Sequence, residues 1–204
     1  VIESEISSEG ERIKPSQVAH TLNSLLQPGD VMVADASSSS GWMNRHIKVK
    51  TAGRVCLSPR GIAGLGFSIP AAIGVKTALK KESRKVLCLT GDGALGYALA
   101  ELETLNRLNL PITVVVLNDG AFGWIKLAQK VLLGERKLSV EMASCNYAKV
   151  AEALGCRGIR VERLSELKPA LEEALRSDEP TLVEVISMLD IAFTPLREAI
   201  SKNR

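Results

Sequence analysis

The stretch that decides the fold is Lys85–Lys126, KVLCLTGDGALGYALAELETLNRLNLPITVVVLNDGAFGWIK. It reads as strand, tight turn, helix, strand, turn, helix. Val86–Thr90 is a short apolar run ending at Gly91, as a buried parallel strand does. Leu99, Leu102, Leu105 and Leu108 give Tyr97–Leu108 the apolar face of a helix. Pro111 closes the connection, and Ile112–Leu117 is a second, β-branched run suited to a strand. Gly91-Asp92-Gly93 follows the first strand and Asn118-Asp119-Gly120 follows the second.

In a parallel sheet, ligands bind outside the carboxyl ends of the strands, where loops and helix N-termini face a crevice. Adjacent parallel strands bring Asp92 and Asp119 together although they stand 27 residues apart. Gly91 and Gly93 let the backbone turn sharply and approach a ligand, and the next helix offers unpaired N–H groups to an anion. The residues point to a phosphate site flanked by two carboxylates. A dinucleotide fold is a rival, because Gly91–Gly96 fits G-x-G-x-x-G and Asp119 lies 23 residues beyond it, near the place of a ribose-binding acid. Asp92 argues against that reading. A carboxylate about 4 Å from a pyrophosphate charge costs roughly 4 kcal/mol at an effective dielectric of about 20. A divalent cation between the two turns this repulsion into attraction, and Mg²⁺ takes one or two carboxylates plus phosphate oxygens.

Gly-Asp-Gly, a helix with Glu101-Leu-x-Thr104, Leu110-Pro-Ile112, then Asn118-Asp119 resembles the thiamine-diphosphate motif. The chain is similar, from about Pro28 to Asp190, to the cofactor-binding domain of acetolactate synthase, pyruvate oxidase and benzoylformate decarboxylase relatives. The resemblance implies a doubly wound α/β fold, mainly parallel, with helices on both faces. It implies Mg²⁺ ligation by Asp92, by Asp119 (where many relatives have Asn) and by the Ala121 carbonyl. Gly91, Gly93 and Ala94 border the diphosphate, and so does the hydroxyl-rich turn of Ser37, Ser38 and Ser39, although a serine run is elsewhere a common linker. Leu65, inside Gly61–Phe67, stands where an apolar wedge holds the cofactor bent. Gly64 lies beside it, and the Ala63 carbonyl accepts from the aminopyrimidine. Phe122 and Gly123 flank the cofactor, while Trp124 and Ile125 face the substrate. The chain departs from branched-chain acetohydroxyacid synthases at Ala128, where those enzymes carry a substrate-discriminating Trp. FAD is not assignable from this chain.

The composition is that of a soluble globular protein: 204 residues, 46% hydrophobic, 24% charged, enough for one well-buried α/β domain. A net charge of +3 gives no basic surface for nucleic acid. No apolar run reaches membrane-spanning length, and the polar N-terminus is not a signal peptide. Cys56, Cys88, Cys145 and Cys156 form no C-x-x-C pair, so they are expected as reduced core thiols of a cytoplasmic protein. Residues 1–14 are expected to be an arm or linker, 15–190 the cofactor domain and 191–204 a tail. Within the domain, Pro15 opens a helix to about Leu26, and Val31–Asp35 and Arg54–Leu57 are strands. A helix starts near Ile69-Pro70, and Phe122–Val131 is helical. Leu133–Val140 is expected as a mobile loop. Tyr147–Leu154 is a helix ending at Gly155; Ile159–Val161, Leu164–Arg176 and Thr181–Ile186 complete the sheet. His20 has no acidic or cysteine partner nearby and is expected as a surface or packing residue rather than a catalytic one.

Activation of the pyrimidine in the resembled family uses a glutamate of a separate pyrimidine-binding domain across a dimer interface. No glutamate here matches it, so no catalytic residue is assigned to this chain, which is expected to be inert without that partner. Expected partners are a pyrimidine-binding domain, a second copy in a homodimer or larger oligomer, and a 2-oxo acid such as pyruvate. Three function classes stand: the thiamine diphosphate-binding part of an acetolactate synthase-like, benzoylformate decarboxylase-like or 2-hydroxyacyl-CoA lyase-like enzyme; a nicotinamide-binding dehydrogenase domain; and a non-catalytic relative kept for assembly.

Overall fold

A computed structural model describes residues 12–36, 38–79, 82–134, 136 and 138–190. Six strands are described: β1 (Val31–Ala34), β2 (Cys56–Leu57), β3 (Val86–Gly91), β4 (Ile112–Asn118), β5 (Arg157–Val161) and β6 (Thr181–Ile186). All pair in parallel, in the order β2-β1-β3-β4-β6-β5. The central strands β1, β3 and β4 are apolar and buried along nearly their whole length, because helices cover both faces.

Side-chain alternation along each strand sorts the core into two halves. Met32, Ala34, Leu87, Leu89, Val115, Leu117, Val183 and Val185 face one layer, packed under α1 (Pro15–Leu25), α2 (Ser38–His46) and α8 (Leu164–Arg176). Val31, Val33, Val86, Cys88, Val114, Val116 and Leu182 face the other, under α3 (Ser68–Ala78), α5 (Glu101–Arg107) and α7 (Tyr147–Ala153). The connection from β1 therefore leaves over one face to β2, whereas the connection from β3 leaves over the opposite face to β4. The carboxyl ends of β1 and β3 diverge at that switch point, and a crevice opens between them.

Local chemistry fixes the element ends. Pro15 begins α1, where its missing N–H costs nothing, and the Gln17 side chain reaches back to accept from the Lys14 N–H at 2.8 Å. Asn146 caps α7 by accepting from Lys149 N at 2.9 Å, and Gly155 ends the helix region at φ +83°, as the sequence predicts. His20 is exposed on α1. The four cysteines are free thiols; Cys88 and Cys156 lie in the core as expected, whereas Cys56 and Cys145 are only partly buried. No helix among the described residues is long and apolar enough to cross a membrane.

Three details differ from the sequence expectations. Tyr97–Leu108 is not one α-helix. After the short α4 (Asp92–Leu95), the N–H groups of Tyr97, Ala98, Glu101, Leu102 and Glu103 each donate to the third residue back, and regular helix begins at Glu101. Leu102 and Leu105 are fully buried, whereas Tyr97 and Leu108, the residue just past the end of α5, are exposed. Ile13, assigned to the arm, is 2% exposed and bridges Ser187 in parallel. Leu133, expected in a loop, ends the helix that starts at Gly123; farther on, Leu138 exchanges two hydrogen bonds with the Gln129 side chain and buried Val140 accepts from the Phe122 N–H at 2.8 Å. Residues 1–11 of the arm and the tail 191–204 lie outside the described residues.

Candidate functional site

Strand register puts the two acidic turns side by side. β3 and β4 pair Thr90 with Val116 and Gly91 with Leu117, so both strands end at one level. Asp92 opens α4 and is 3% exposed. Its Oδ1 accepts from Gly93 N at 2.8 Å, and its Oδ2 accepts from Gly120 N, also at 2.8 Å. The first turn thus holds the second by a charge-assisted bond across the sheet edge. Asp119 is half-buried beside it and accepts from its own turn's Ala121 N at 3.1 Å. Burial, and after it the negative charge of Asp92, push the Asp119 carboxyl up to about 7. Burial also raises Asp92, although backbone N–H bonds favour its anion. Two desolvated carboxylates repelling each other form an arrangement that a cation would relieve.

A cavity of about 420 Å³ lies over these turns, at the carboxyl ends of β1, β3, β4 and β6. Gly91, Asp92, Gly93 and Ala94 form one wall; Asp119, Ala121, Phe122 and Gly123 form another. Trp124 and Ile125, on the first turn of α6 (Gly123–Leu133), line the mouth and are 40% and 46% exposed. Gly93 is required by packing: a Cβ there would stand 2.8 Å from the Phe122 ring. At Gly123 a Cβ would meet Asp119 Oδ2 at 2.6 Å, so the missing side chain leaves room for the carboxylate.

The serine turn resolves unequally. Ser37 lies outside the described residues. Ser38 lines the cavity at the start of α2. One helical step, about 100°, carries Ser39 away from that wall; it is fully buried, and its hydroxyl donates to the Asp35 and Ala36 carbonyls at 3.3 Å each. In the glycine-rich segment, Ala63 and Leu65 line the cavity, and Ala63 holds a positive φ of 57°, unusual for a residue with a Cβ. Gly64 is exposed and is not among the lining residues.

Three side chains that sequence reasoning passed over organise this edge. Asp35, 1% exposed at the end of β1, accepts from Gly66 N at 3.1 Å, Ser68 N at 3.0 Å and the Ser68 hydroxyl at 2.7 Å. It ties the glycine-rich segment to the switch point. Glu184, fully buried on β6, accepts from Asn118 Nδ2 at 2.7 Å, Arg160 at 2.9 Å and Ala148 N at 3.2 Å. The Asn118 side-chain Oδ1 accepts in turn from Gly120 N at 3.2 Å, which braces the acidic turn. Arg60 lines the cavity from the glycine-rich segment. A lone acid inside the apolar TLVEVI run was a signal for Glu184. Asp35 and Arg60 carry none, because their partners are distant in sequence.

A family model described as "Thiamine pyrophosphate enzyme, C-terminal TPP binding domain" matches residues 35–185. The chain is 29% identical over 197 residues to an acetolactate synthase of Mycobacterium bovis, covering 94% of this chain and 31% of that protein. It is 28% identical over 207 residues to the sulfoacetaldehyde acetyltransferase of Castellaniella defragrans, covering 99% of this chain and 34% of that protein. Among solved structures, a thiamine diphosphate-dependent 4-hydroxybenzoylformate decarboxylase of Rhodococcus jostii RHA1 superposes with a TM-score of 0.82 at 26% identity, over 90% of this chain and 34% of that one. The chain spans about 30% of the length of the curated relatives it matches. Because the match runs from the end of β1 to the end of β6 and takes in both acidic turns, the chain belongs to the thiamine pyrophosphate enzymes, as their C-terminal TPP-binding domain.

Proposed function

We propose that this chain is the Mg²⁺-dependent diphosphate anchor of an acetolactate synthase-like enzyme that decarboxylates a 2-oxo acid, pyruvate in the first instance, and ligates the product to a second carbonyl. The observation that carries the reading is the Asp92–Asp119 pair on the wall of the cavity, coupled through Gly120 N.

The residues fit the metal. Among the described residues no group of three His, Cys, Asp or Glu side chains gathers to hold a cation. Two carboxylates with a neighbouring main-chain carbonyl suit Mg²⁺, which keeps phosphate and water oxygens for its remaining positions, better than metals needing a full protein cage. In this reading Asp92, Asp119 and the Ala121 carbonyl hold the cation. That carbonyl already accepts from Gly123 N at 2.8 Å, which leaves one lone pair for the metal. Ser38 and the N–H groups around Gly93 and Ala94 take phosphate oxygens. Leu65 and the Ala63 carbonyl face the cofactor's rings, and Trp124 and Ile125 shape the substrate side. Thiamine diphosphate, when bound, supplies the carbon nucleophile and electron sink for cleavage beside a carbonyl.

This chain's part is to bind, orient and shield; the proton-transferring glutamate belongs to a pyrimidine-binding domain, on the same or another polypeptide, in a dimeric assembly. The decisive experiment is calorimetric titration of the purified chain with thiamine diphosphate, with and without Mg²⁺. Saturable binding that needs Mg²⁺ and disappears in Asp92→Ala is the expected result. Binding of NAD without metal would replace this reading with the dinucleotide one, and binding of neither would point to an assembly role.

A further inference from the structure

Four charged side chains line the cavity among the described residues: Asp92, Asp119, Asp190 and Arg60. The cation is the unusual member. Elsewhere in the fold five arginines pair with carboxylates: Arg84 with Glu82, Arg107 with Glu103, Arg157 with Glu173, Arg160 with Glu162 and Glu184, and Arg163 with Glu166. Arg60 shares a cavity with three aspartates and, among the described residues, ion-pairs with none of them. Its one hydrogen bond there runs from Nη1 to the Ser40 hydroxyl at 2.9 Å. Ser40 is fully buried on α2, the helix whose Ser38 and Gly41 also line the cavity.

This geometry holds the guanidinium by a neutral hydroxyl, without an ion pair. A guanidinium carries five N–H donors in a planar fork, and one of them secures the head to α2. The others are left for a ligand. The segment that carries Arg60 is held at its far end by Asp35, through Gly66 and Ser68. The side chain therefore stands at a defined place, with the donor geometry that suits carboxylate or phosphate oxygens.

We propose that Arg60 is the oxyanion-recognition residue of this cavity, taking either the carboxylate of the 2-oxo acid or a phosphoryl group of the cofactor. The proposal rests on the cavity being the cofactor site described above, and its test separates the two. Trp124 lines the same cavity and is exposed, whereas Trp42 is fully buried, so tryptophan emission reports on the site. The purified chain and its Arg60→Ala, Arg60→Lys and Arg60→Gln variants are titrated with pyruvate, with uncharged pyruvamide, and with inorganic pyrophosphate plus Mg²⁺. Melting curves check that all variants fold, as expected for an exposed side chain. Wild type should bind pyruvate or pyrophosphate, and Arg60→Ala should weaken that anion about tenfold, with Lys restoring part of the loss and Gln none. Pyruvamide should be insensitive to all three substitutions. Loss confined to pyruvate assigns the substrate carboxylate, and loss confined to pyrophosphate assigns the cofactor. A change below threefold for both anions, or no binding of either by wild type, overturns the proposal. Absence of Mg²⁺-dependent thiamine diphosphate binding by wild type overturns the cofactor reading instead.

Discussion

Glu184→Ala offers the sharpest test of how the sheet braces the acidic turns. The carboxylate is fully buried on β6 and accepts from Asn118, Arg160 and Ala148 N. Truncation leaves three donors to account for. Arg160 is 32% exposed along its side chain and also holds Glu162, so water and that partner take up most of its loss. Asn118 Nδ2 falls back on the Cys145 carbonyl at 3.4 Å, a weak bond, and Ala148 N is left buried without an acceptor. Each unsatisfied buried donor costs about 1–3 kcal/mol, and breaking a buried ion pair costs about 3–5 kcal/mol. With Arg160 partly solvated, the lower end applies, about 3 kcal/mol out of a total stability on the order of 5–15 kcal/mol. Glu184→Gln keeps an acceptor but turns an amide toward the guanidinium, and should cost about half as much. Equilibrium unfolding in urea, followed by circular dichroism with m held constant, measures both. A Glu184→Ala loss below about 0.5 kcal/mol would refute the reasoning, since no buried acceptor serving three donors can be removed so cheaply.

Two further outcomes are expected. The folded-state pKa of Asp119 is raised to about 7, so its protonated form is favoured by folding; that stabilisation is complete below the ordinary carboxylate value of 3.8 and is lost as pH rises through about 7. Melting temperatures of the ligand-free chain should fall between pH 5 and 8, Asp119→Asn should flatten the slope, and a rise over that range would contradict it. Gly123→Ala places a Cβ 2.6 Å from both Asp119 Oδ2 and Leu189 Cδ1, two flexible side-chain ends, so Mg²⁺-dependent binding should weaken about tenfold while the melting temperature moves little. Unchanged affinity in that variant would mean that Asp119 does not touch the metal.

Much of this was legible because parallel strands buried on both faces write themselves as apolar runs. Val86–Thr90 and Ile112–Leu117 needed no partner information, and the glycine-acid turns after them mark the ligand edge of the sheet. Helical detail was less legible. Leucine spacing alone does not distinguish α winding from the tighter turns around Gly96–Glu103, and it does not show that α5 stops before Leu108, which is exposed. Adjacent serines look equivalent in sequence, yet one step of α2 separates Ser38 on the cavity wall from Ser39 in the interior. Asp35 was read only as the end of a strand. Its meaning depends on amides 31 and 33 residues away, and such non-local bonds leave no periodic trace.

The placement of β6 between β4 and β5 has a consequence for biosynthesis. β4 acquires its outer neighbour only when Thr181–Ile186 exists, and β5, made earlier, has no other strand to pair with. At translation rates of about 5–20 residues per second, the interval between the end of β4 and the start of β6 lasts roughly 3–12 s. During that interval Thr113–Asn118 presents an apolar, unpaired edge, the kind of surface that recruits foreign strands. Nascent chains stalled before residue 181 should therefore aggregate or engage chaperones, whereas chains released after β6 emerges should not.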